Sequence, residues 1–113
     1  MSSKGGDVAR YLVRVSYTQE GASGLLEEGG TSRRTMLQDL VKGLGGSLEA
    51  FYFAFGKVDV YCILQLPDNV TAAALGLTVS AAGAAKVQTV VLLTPEEIDE
   101  ATKKAVAYRA PGD

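Results

Sequence analysis

The chain of 113 residues contains no histidine, and it has a single cysteine. Without histidine it lacks the commonest general base and metal ligand, which excludes Ser-His and Cys-His nucleophile pairs and histidine-ligated haem. No cluster of residues has the spacing of a zinc or iron–sulfur site, and neither a GxxxxGK[ST] nor a GxGxxG motif is present. We therefore predict a protein that uses no metal and no cofactor.

The chain also lacks a large excess of charge of one sign, and it lacks long apolar runs. The net charge is −2 with no basic run, so we predict no nucleic-acid partner, because phosphate binding needs clustered lysine and arginine. No apolar run approaches the roughly 20 residues of a bilayer crossing, and the start MSSKGGDVAR lacks the apolar segment of a signal peptide. One cysteine cannot form an internal disulfide, which fits a reducing compartment. We predict a cytoplasmic protein without a membrane partner.

Residues 47–66, SLEAFYFAFGKVDVYCILQL, hold all three phenylalanines and two of the five tyrosines. Gly56-Lys57 predicts a tight turn between two strands, and an even loop centred there pairs residues whose numbers sum to 113. Because strand side chains alternate, each pair belongs to one face. The first predicted face pairs Phe55 with Val58, Phe53 with Val60 and Phe51 with Cys62. The second pairs Ala54 with Asp59, Tyr52 with Tyr61, Ala50 with Ile63 and Leu48 with Gln65. Cys62 is thus predicted to be a buried, inert thiol.

The other segments predict a single domain at residues 8–113 after a disordered tail at residues 1–7. Residues 9–18 and 85–94 alternate as strands. A short helical turn at residues 22–28 is predicted to break at the following glycines, and Thr31 or Ser32 is predicted to cap the next helix, which Gly45-Gly46 ends.

Two more helices are predicted from caps and apolar spacing. Asp68 or Asn69 caps the first, and the Thr94–Glu97 spacing predicts a capping box for the last. The predicted inner stripe of the first helix is Val70, Ala73, Ala74, Leu77 and Ala81. That of the last helix is Ile98, Ala101, Ala105 and Tyr108.

The element order predicts an α+β, ferredoxin-like βαββαβ fold with an added C-terminal helix. We expect the helices to cover the face that carries Phe51, Phe53, Phe55, Val60 and Cys62. The other face is mostly apolar and needs cover as well. We therefore predict a homodimer, or a higher homo-oligomer, in which two sheets pack together about a two-fold axis. Partial cover by the C-terminal helix is the alternative. The residues of the other face are Leu12, Arg14, Tyr52, Ala54, Asp59, Tyr61 and Ile63.

The stretches YLVRVSYTQEGASGLLEEGGTSRRTM, LGGSLEAFYFAFGKVDV and LPDNVTAAALGLTVSAAGAAKVQTVVLLTPEEIDEA resemble the GYD-domain family. Gly56 and Asp59 occupy the glycine and the aspartate of its signature, whereas Val58 replaces the tyrosine that normally precedes the aspartate. A role for that tyrosine therefore does not carry over. The resemblance implies a dimeric α+β barrel, and it implies no particular reaction.

Candidate ligand contacts come from both faces of the predicted sheet. Asp59 is predicted beside Tyr61 and near Arg14, where it would orient a ligand or act as a base; an intersubunit ion pair, or a bond to backbone, is the alternative. Arg33 lies early in a helix, where the helix dipole disfavours a cation by roughly 0.3–1 kcal/mol, so an anionic ligand is one explanation and pairing with nearby glutamates is another. Tyr17 is predicted to border a pocket between sheet and helix. The complete set of candidates is Arg14, Tyr17, Arg33, Tyr52, Asp59 and Tyr61, and no catalytic residue is predicted.

Three functions are consistent with these residues. The first is a metal-free dimeric barrel that binds a small organic molecule between sheet and helices. The second is a cofactor-independent enzyme on the same scaffold, similar to an oxygenase or isomerase. The third is a structural oligomerisation module without a ligand, which a fully packed helix–sheet interface would favour. We prefer the first, because the sequence supplies polar groups but no complete catalytic constellation.

Overall fold

The computed structural model describes residues 8–113, so the predicted disordered tail lies outside the described residues. These residues form an α+β fold with one antiparallel sheet in the strand order β2-β3-β1-β4. In chain order the elements are β1 (Ala9–Tyr17), α1 (Gln19–Glu28), α2 (Gly30–Gly43), β2 (Ser47–Phe53), β3 (Val60–Leu66), α3 (Asn69–Ala81), β4 (Ala85–Leu92) and α4 (Pro95–Thr102).

The hairpin of β2 and β3 has the predicted register over most of its length. Confirmed pairs are Phe53–Val60, Tyr52–Tyr61, Phe51–Cys62 and Ala50–Ile63. The predicted Leu48–Gln65 pair is wrong, as Leu48 pairs with Leu64 instead.

A bulge at Glu49 causes this shift. The extra residue reverses the alternation of β2 before it, so Leu48 packs against the core. The Glu49 carboxylate accepts hydrogen bonds from Arg10 Nε at 2.6 Å and from Gln65 Nε2 at 2.8 Å. These bonds hold the pKa of Glu49 below its ordinary value, and the bond from Arg10 has the larger effect.

The core lies between one face of the sheet and the helices α2 and α3. Helix α2 packs on β2, and α3 packs on β3 and β4. The buried Tyr11 hydroxyl donates to Asn69 Oδ1 at 2.6 Å, which ties β1 to the start of α3. The buried residues of this core are Tyr11, Val13, Val41, Val60, Cys62, Leu64, Leu66 and Ala72.

Phe55 is not covered by a helix, contrary to prediction. The hairpin ladder ends at Phe53, and the connecting loop carries Phe55 beyond the sheet, where its side chain is 106% exposed. Phe53 is only partly covered, with its ring against the first residue of α2, Gly30.

The glycine-rich segment forms two helices where a short turn and a later helix were predicted. Helix α1 begins one turn early because the Thr18 hydroxyl accepts a hydrogen bond from the Gly21 N–H. Gly21 fits there because a side chain would meet the Ala84 carbonyl, 2.0 Å from the position of a Cβ. The predicted break is at Gly29, whose φ of +86° favours glycine. The predicted caps Thr31 and Ser32 are wrong, because both lie inside α2.

Helix α3 faces the core with a different side from the one predicted. Asp68 caps it as predicted, through a 2.8 Å hydrogen bond from the Thr71 N–H. The predicted inner residues Val70 and Leu77 are 79% and 72% exposed, and Ala73, Ala74 and Ala81 are exposed with them. The helix carries no charged residue and is apolar on all sides, so its sequence gives no direction to the core. The side that packs inward carries Ala72, Leu75, Gly76 and Val79.

Helix α4 begins with the predicted capping box of Thr94 and Glu97. It ends at Thr102, so the predicted stripe residues Ala105 and Tyr108 lie beyond it and are exposed. Helix α4 makes no extensive contact with the sheet, so it leaves the second face open.

Candidate functional site

A cavity of about 70 Å³ lies between the sheet and the helices α2 and α3. A single water needs about 10–15 Å³ on this measure, and an engineered cavity of about 150 Å³ binds benzene. The space therefore suits a group of a few heavy atoms. Its lining consists of Val13, Val15, Tyr17, Arg33, Met36, Leu37, Leu40, Phe51, Val60, Cys62, Leu64, Leu66, Ala72, Leu75, Gly76, Val79, Ala85, Val87 and Thr89.

Small residues on α3 help to leave this space open. Ala72 and Gly76 face the cavity where larger side chains would fill it. A Cβ added to Gly76 would meet only Thr89 Oγ1, at 4.0 Å, which is ordinary van der Waals contact. Nothing in the backbone therefore forces glycine here by steric conflict, and the missing side chain leaves volume inside the fold.

Tyr17 and Arg33 form the main polar part of the lining. Both side chains are half-buried. Burial raises the pKa of the Tyr17 hydroxyl, while the charge and the N–H groups of the nearby Arg33 act in the opposite direction. The more distant carboxylates of Asp59 and Glu28 add to the increase in pKa.

Asp59 forms hydrogen bonds with backbone groups at the end of the sheet. Its Oδ2 accepts from the Tyr17 N–H at 2.7 Å, and its own N–H donates to the Val15 carbonyl at 2.8 Å. Its carbonyl accepts from the Ala54 N–H, also at 2.8 Å. The carboxylate thus fastens the hairpin loop to β1, and it does not line the cavity.

The remaining three candidates lie in one row across the open face of the sheet. Arg14 is opposite Tyr61, and Tyr61 is opposite Tyr52. Tyr52 is 70% exposed and Tyr61 40% exposed, whereas the Arg14 Nε is buried and has no hydrogen-bond partner among residues 8–113. Of the six predicted residues, Tyr17 and Arg33 reach the cavity, Arg14, Tyr52 and Tyr61 lie on the open face, and Asp59 lies at the end of the sheet.

Sequence reasoning missed several residues of the cavity. Thr89 and Gly76 were not named; the alternation of β4 from Ala85 through Val87 to Thr89 is the signal that points Thr89 inward. Cys62 is buried as predicted, and burial raises the pKa of its thiol to about 11. A thiol with that pKa is a poor nucleophile at neutral pH.

Within residues 8–113 no three histidine, cysteine, aspartate or glutamate side chains are grouped as metal ligands. In the same part of the chain, no helix has the length and apolar character to cross a membrane.

The fold is that of a small α+β domain. Two helices cover one face of a four-stranded antiparallel sheet, and a small apolar cavity lies beneath them. The model of the GYD domain matches residues 11–102, from β1 to α4. The chain therefore belongs to the GYD-domain family, in agreement with the resemblance of its hairpin and helix ends. No curated protein and no solved structure matches it.

Proposed function

We propose that this protein binds a small organic molecule in the cavity between the sheet and the helices. The observation that carries the proposal is the cavity itself, which has about 70 Å³ of space within an otherwise packed core. Its walls are mostly aliphatic, and a few polar groups stand at Tyr17, Arg33 and Thr89. A largely apolar pocket with few convergent polar groups is the usual form of a small-molecule site.

We further propose that two copies pair through the open face, in a ferredoxin-like arrangement that forms a dimeric barrel. The strand order β2-β3-β1-β4 supports this arrangement. The apolar row of Val90, Leu12, Ile63 and Ala50 crosses the open face, and each of these side chains is only half-buried.

Arg14 lies in the next row of that face. Its buried Nε has no acceptor within the described chain, and a second copy would bring acceptors to it. We also propose a cytoplasmic location, because the lone cysteine is a buried free thiol that forms no disulfide.

Xenon binding tests the cavity, because xenon enters apolar cavities without needing polar partners. We expect xenon to shift the methyl NMR signals of Val13, Leu64 and Val87, and Gly76→Leu to abolish these shifts by filling the space. Gly24→Leu is the matched control, since Gly24 lies in α1 with open space around it. Gly76→Ala is a milder variant that remains informative if the leucine variant does not fold. Unchanged methyl signals under xenon in the unsubstituted protein would contradict the proposal.

The two other functions have less support. For the enzyme, Asp59 is the candidate base, yet one of its oxygens already accepts from the Tyr17 N–H. Loss of a measured turnover on Asp59→Asn, with the fold retained, would favour that function. For the structural module, a filled interface between helices and sheet is the expected feature, and the cavity argues against it.

A further inference from the structure

The cavity contains one charged side chain, and that side chain is a cation. Among its lining residues, Arg33 carries a positive charge and no aspartate or glutamate is present. Among residues 8–113 the side chains at ion-pair distance are Arg10 and Glu49, at 2.6 Å. Arg33 therefore has no carboxylate partner at ion-pair distance within that part of the chain.

Hydrogen-bond chemistry restricts what can bind beside Arg33. A guanidinium carries five N–H donors and no acceptor. Arg33 lies near enough to Tyr17 for its charge and its N–H groups to act on the hydroxyl, and in any bond between the two Arg33 donates and the tyrosine oxygen accepts. The O–H proton of Tyr17 is left to donate elsewhere. Beside Tyr17 the cavity thus offers guanidinium N–H groups and one phenol O–H as donors, and the other polar side chain of the lining is the Thr89 hydroxyl.

Two nearby carboxylates do not reverse this pattern. Asp59 Oδ2 already accepts from the Tyr17 N–H, and Glu28 Oε1 accepts from the Ser32 hydroxyl at 3.3 Å. Both act on the Tyr17 hydroxyl through their charge. Neither lines the cavity, so they weaken the positive potential there without placing an acceptor beside the ligand.

We infer that the ligand of the proposed site is a small organic acid with a short apolar tail. This inference rests on the proposed function. The carboxylate accepts from Arg33 and Tyr17, and the tail lies among the aliphatic side chains of β1, β3 and α3. Charge-assisted bonds of this kind are roughly twice as strong as neutral ones, which favours an acid over a neutral molecule of the same shape. The volume of about 70 Å³ limits the tail to a few carbon atoms.

Four probes of the same length test the inference: butyrate, butyramide, 1-butanol and n-butylammonium. At pH 7 the acid is ionised, and binding is measured by NMR titration of the methyl signals around the cavity. We expect butyrate to bind at least about tenfold more tightly than butyramide and n-butylammonium to bind most weakly, since a charged partner strengthens the bond by about 1.4 kcal/mol or more.

Two neighbouring arginines supply a matched pair of variants. Arg33→Gln is expected to remove the preference for butyrate over butyramide, whereas Arg34→Gln is expected to keep it, because Arg34 is exposed and lies outside the cavity lining. Tyr17→Phe is expected to reduce butyrate affinity several-fold while leaving 1-butanol binding within twofold.

The outcomes separate this inference from the proposed function. Equal affinity for butyrate and butyramide, or an equal loss of preference in both arginine variants, would overturn the acid assignment and leave a neutral-ligand cavity. If none of the four probes binds and xenon also leaves the methyl signals unchanged, the proposed function fails together with the inference.

Discussion

The two faces of the sheet are made by alternate residues of the same strands, yet their surroundings differ sharply. On β3, Leu64 under the helices is 1% exposed, whereas Tyr61 on the open face is 40% exposed. The covered face is completed within the chain by α2 and α3, and it retains the cavity. The open face has half-buried aliphatic side chains and an arginine nitrogen that finds no acceptor in the part of the chain that the structure describes. The burial of the covered face within one chain and the proposed burial of the open face between two chains thus require separate tests.

The largest effect is expected from Leu64→Ala, which removes a fully buried side chain from the covered face. Truncations of this kind cost about 2–5 kcal/mol of unfolding free energy, because a cavity remains where the methyl groups were. Ile63→Ala is the matched control on the open face, one residue away. Urea unfolding of dilute protein should show a much smaller loss for Ile63→Ala. Equal losses in both variants at low concentration would mean that the two faces are equally buried within one chain.

The second-largest effect is expected in the association of two chains through the open face. Ile63→Asp would place two like charges near each other across the proposed two-fold interface, which costs several kcal/mol in general. We expect the dimer to weaken at least about 30-fold, which corresponds to about 2 kcal/mol. Sedimentation across a range of concentrations measures this change. A monomeric unsubstituted protein at high concentration would contradict the proposed interface.

The third effect is a loss of stability at high pH through Cys62 on the covered face. Burial raises the pKa of this thiol from 9.0 to about 11, so the folded state keeps a proton that the unfolded state releases. The stabilising contribution is complete below about pH 9 and declines as the pH rises toward 11, reaching a loss of about 2 kcal/mol near pH 10.5. Urea unfolding of the protein and of Cys62→Ala across this range isolates the thiol, since all other side chains are the same in both proteins. Parallel pH profiles for the two proteins would contradict the predicted burial effect.

The smallest effect compares two tyrosine hydroxyls. Tyr11→Phe removes the 2.6 Å bond to Asn69 Oδ1 and should cost about 1 kcal/mol. Tyr52→Phe, on the open face, should change the stability of dilute protein by less than about 0.5 kcal/mol because its side chain faces water. Thermal unfolding of both variants is the measurement. A larger loss for Tyr52→Phe in dilute solution would show that the open face is not solvent-facing.

The sequence predicted the features that follow from alternation and caps. The Phe51–Cys62 and Tyr52–Tyr61 pairs follow from a turn centred on Gly56-Lys57, and the capping box at Thr94 follows from residue spacing. The orientation of α3 was not predictable in this way, because a helix that is apolar on every side has no preferred inner stripe. Tertiary contact with β3 and β4 decides its orientation.

The candidate site was predicted in part. Tyr17 and Arg33 were both proposed as ligand contacts from the sequence, and they meet at the cavity. Their proximity could not be predicted, because it depends on how α2 packs over the sheet. Asp59 was placed near Arg14 by simple alternation, but at the end of the sheet its carboxylate binds the Tyr17 N–H. Local backbone bonding there overrides the periodic pattern.

The bulge at Glu49 has a consequence for how β2 tolerates changes in length. Losing this one residue would make Leu48 the neighbour of Ala50 in a regular ladder, with Leu48 still opposite Leu64 and still facing the core that it helps to fill. Gly46, just before β2, has no room for a side chain, because the Gln65 carbonyl oxygen lies 1.9 Å from the position that a Cβ on Gly46 would take. A one-residue deletion at Glu49 should therefore be tolerated better than one elsewhere between Gly46 and Ala50, because it keeps every ladder pair and removes only the bonds of Glu49 to Arg10 and Gln65.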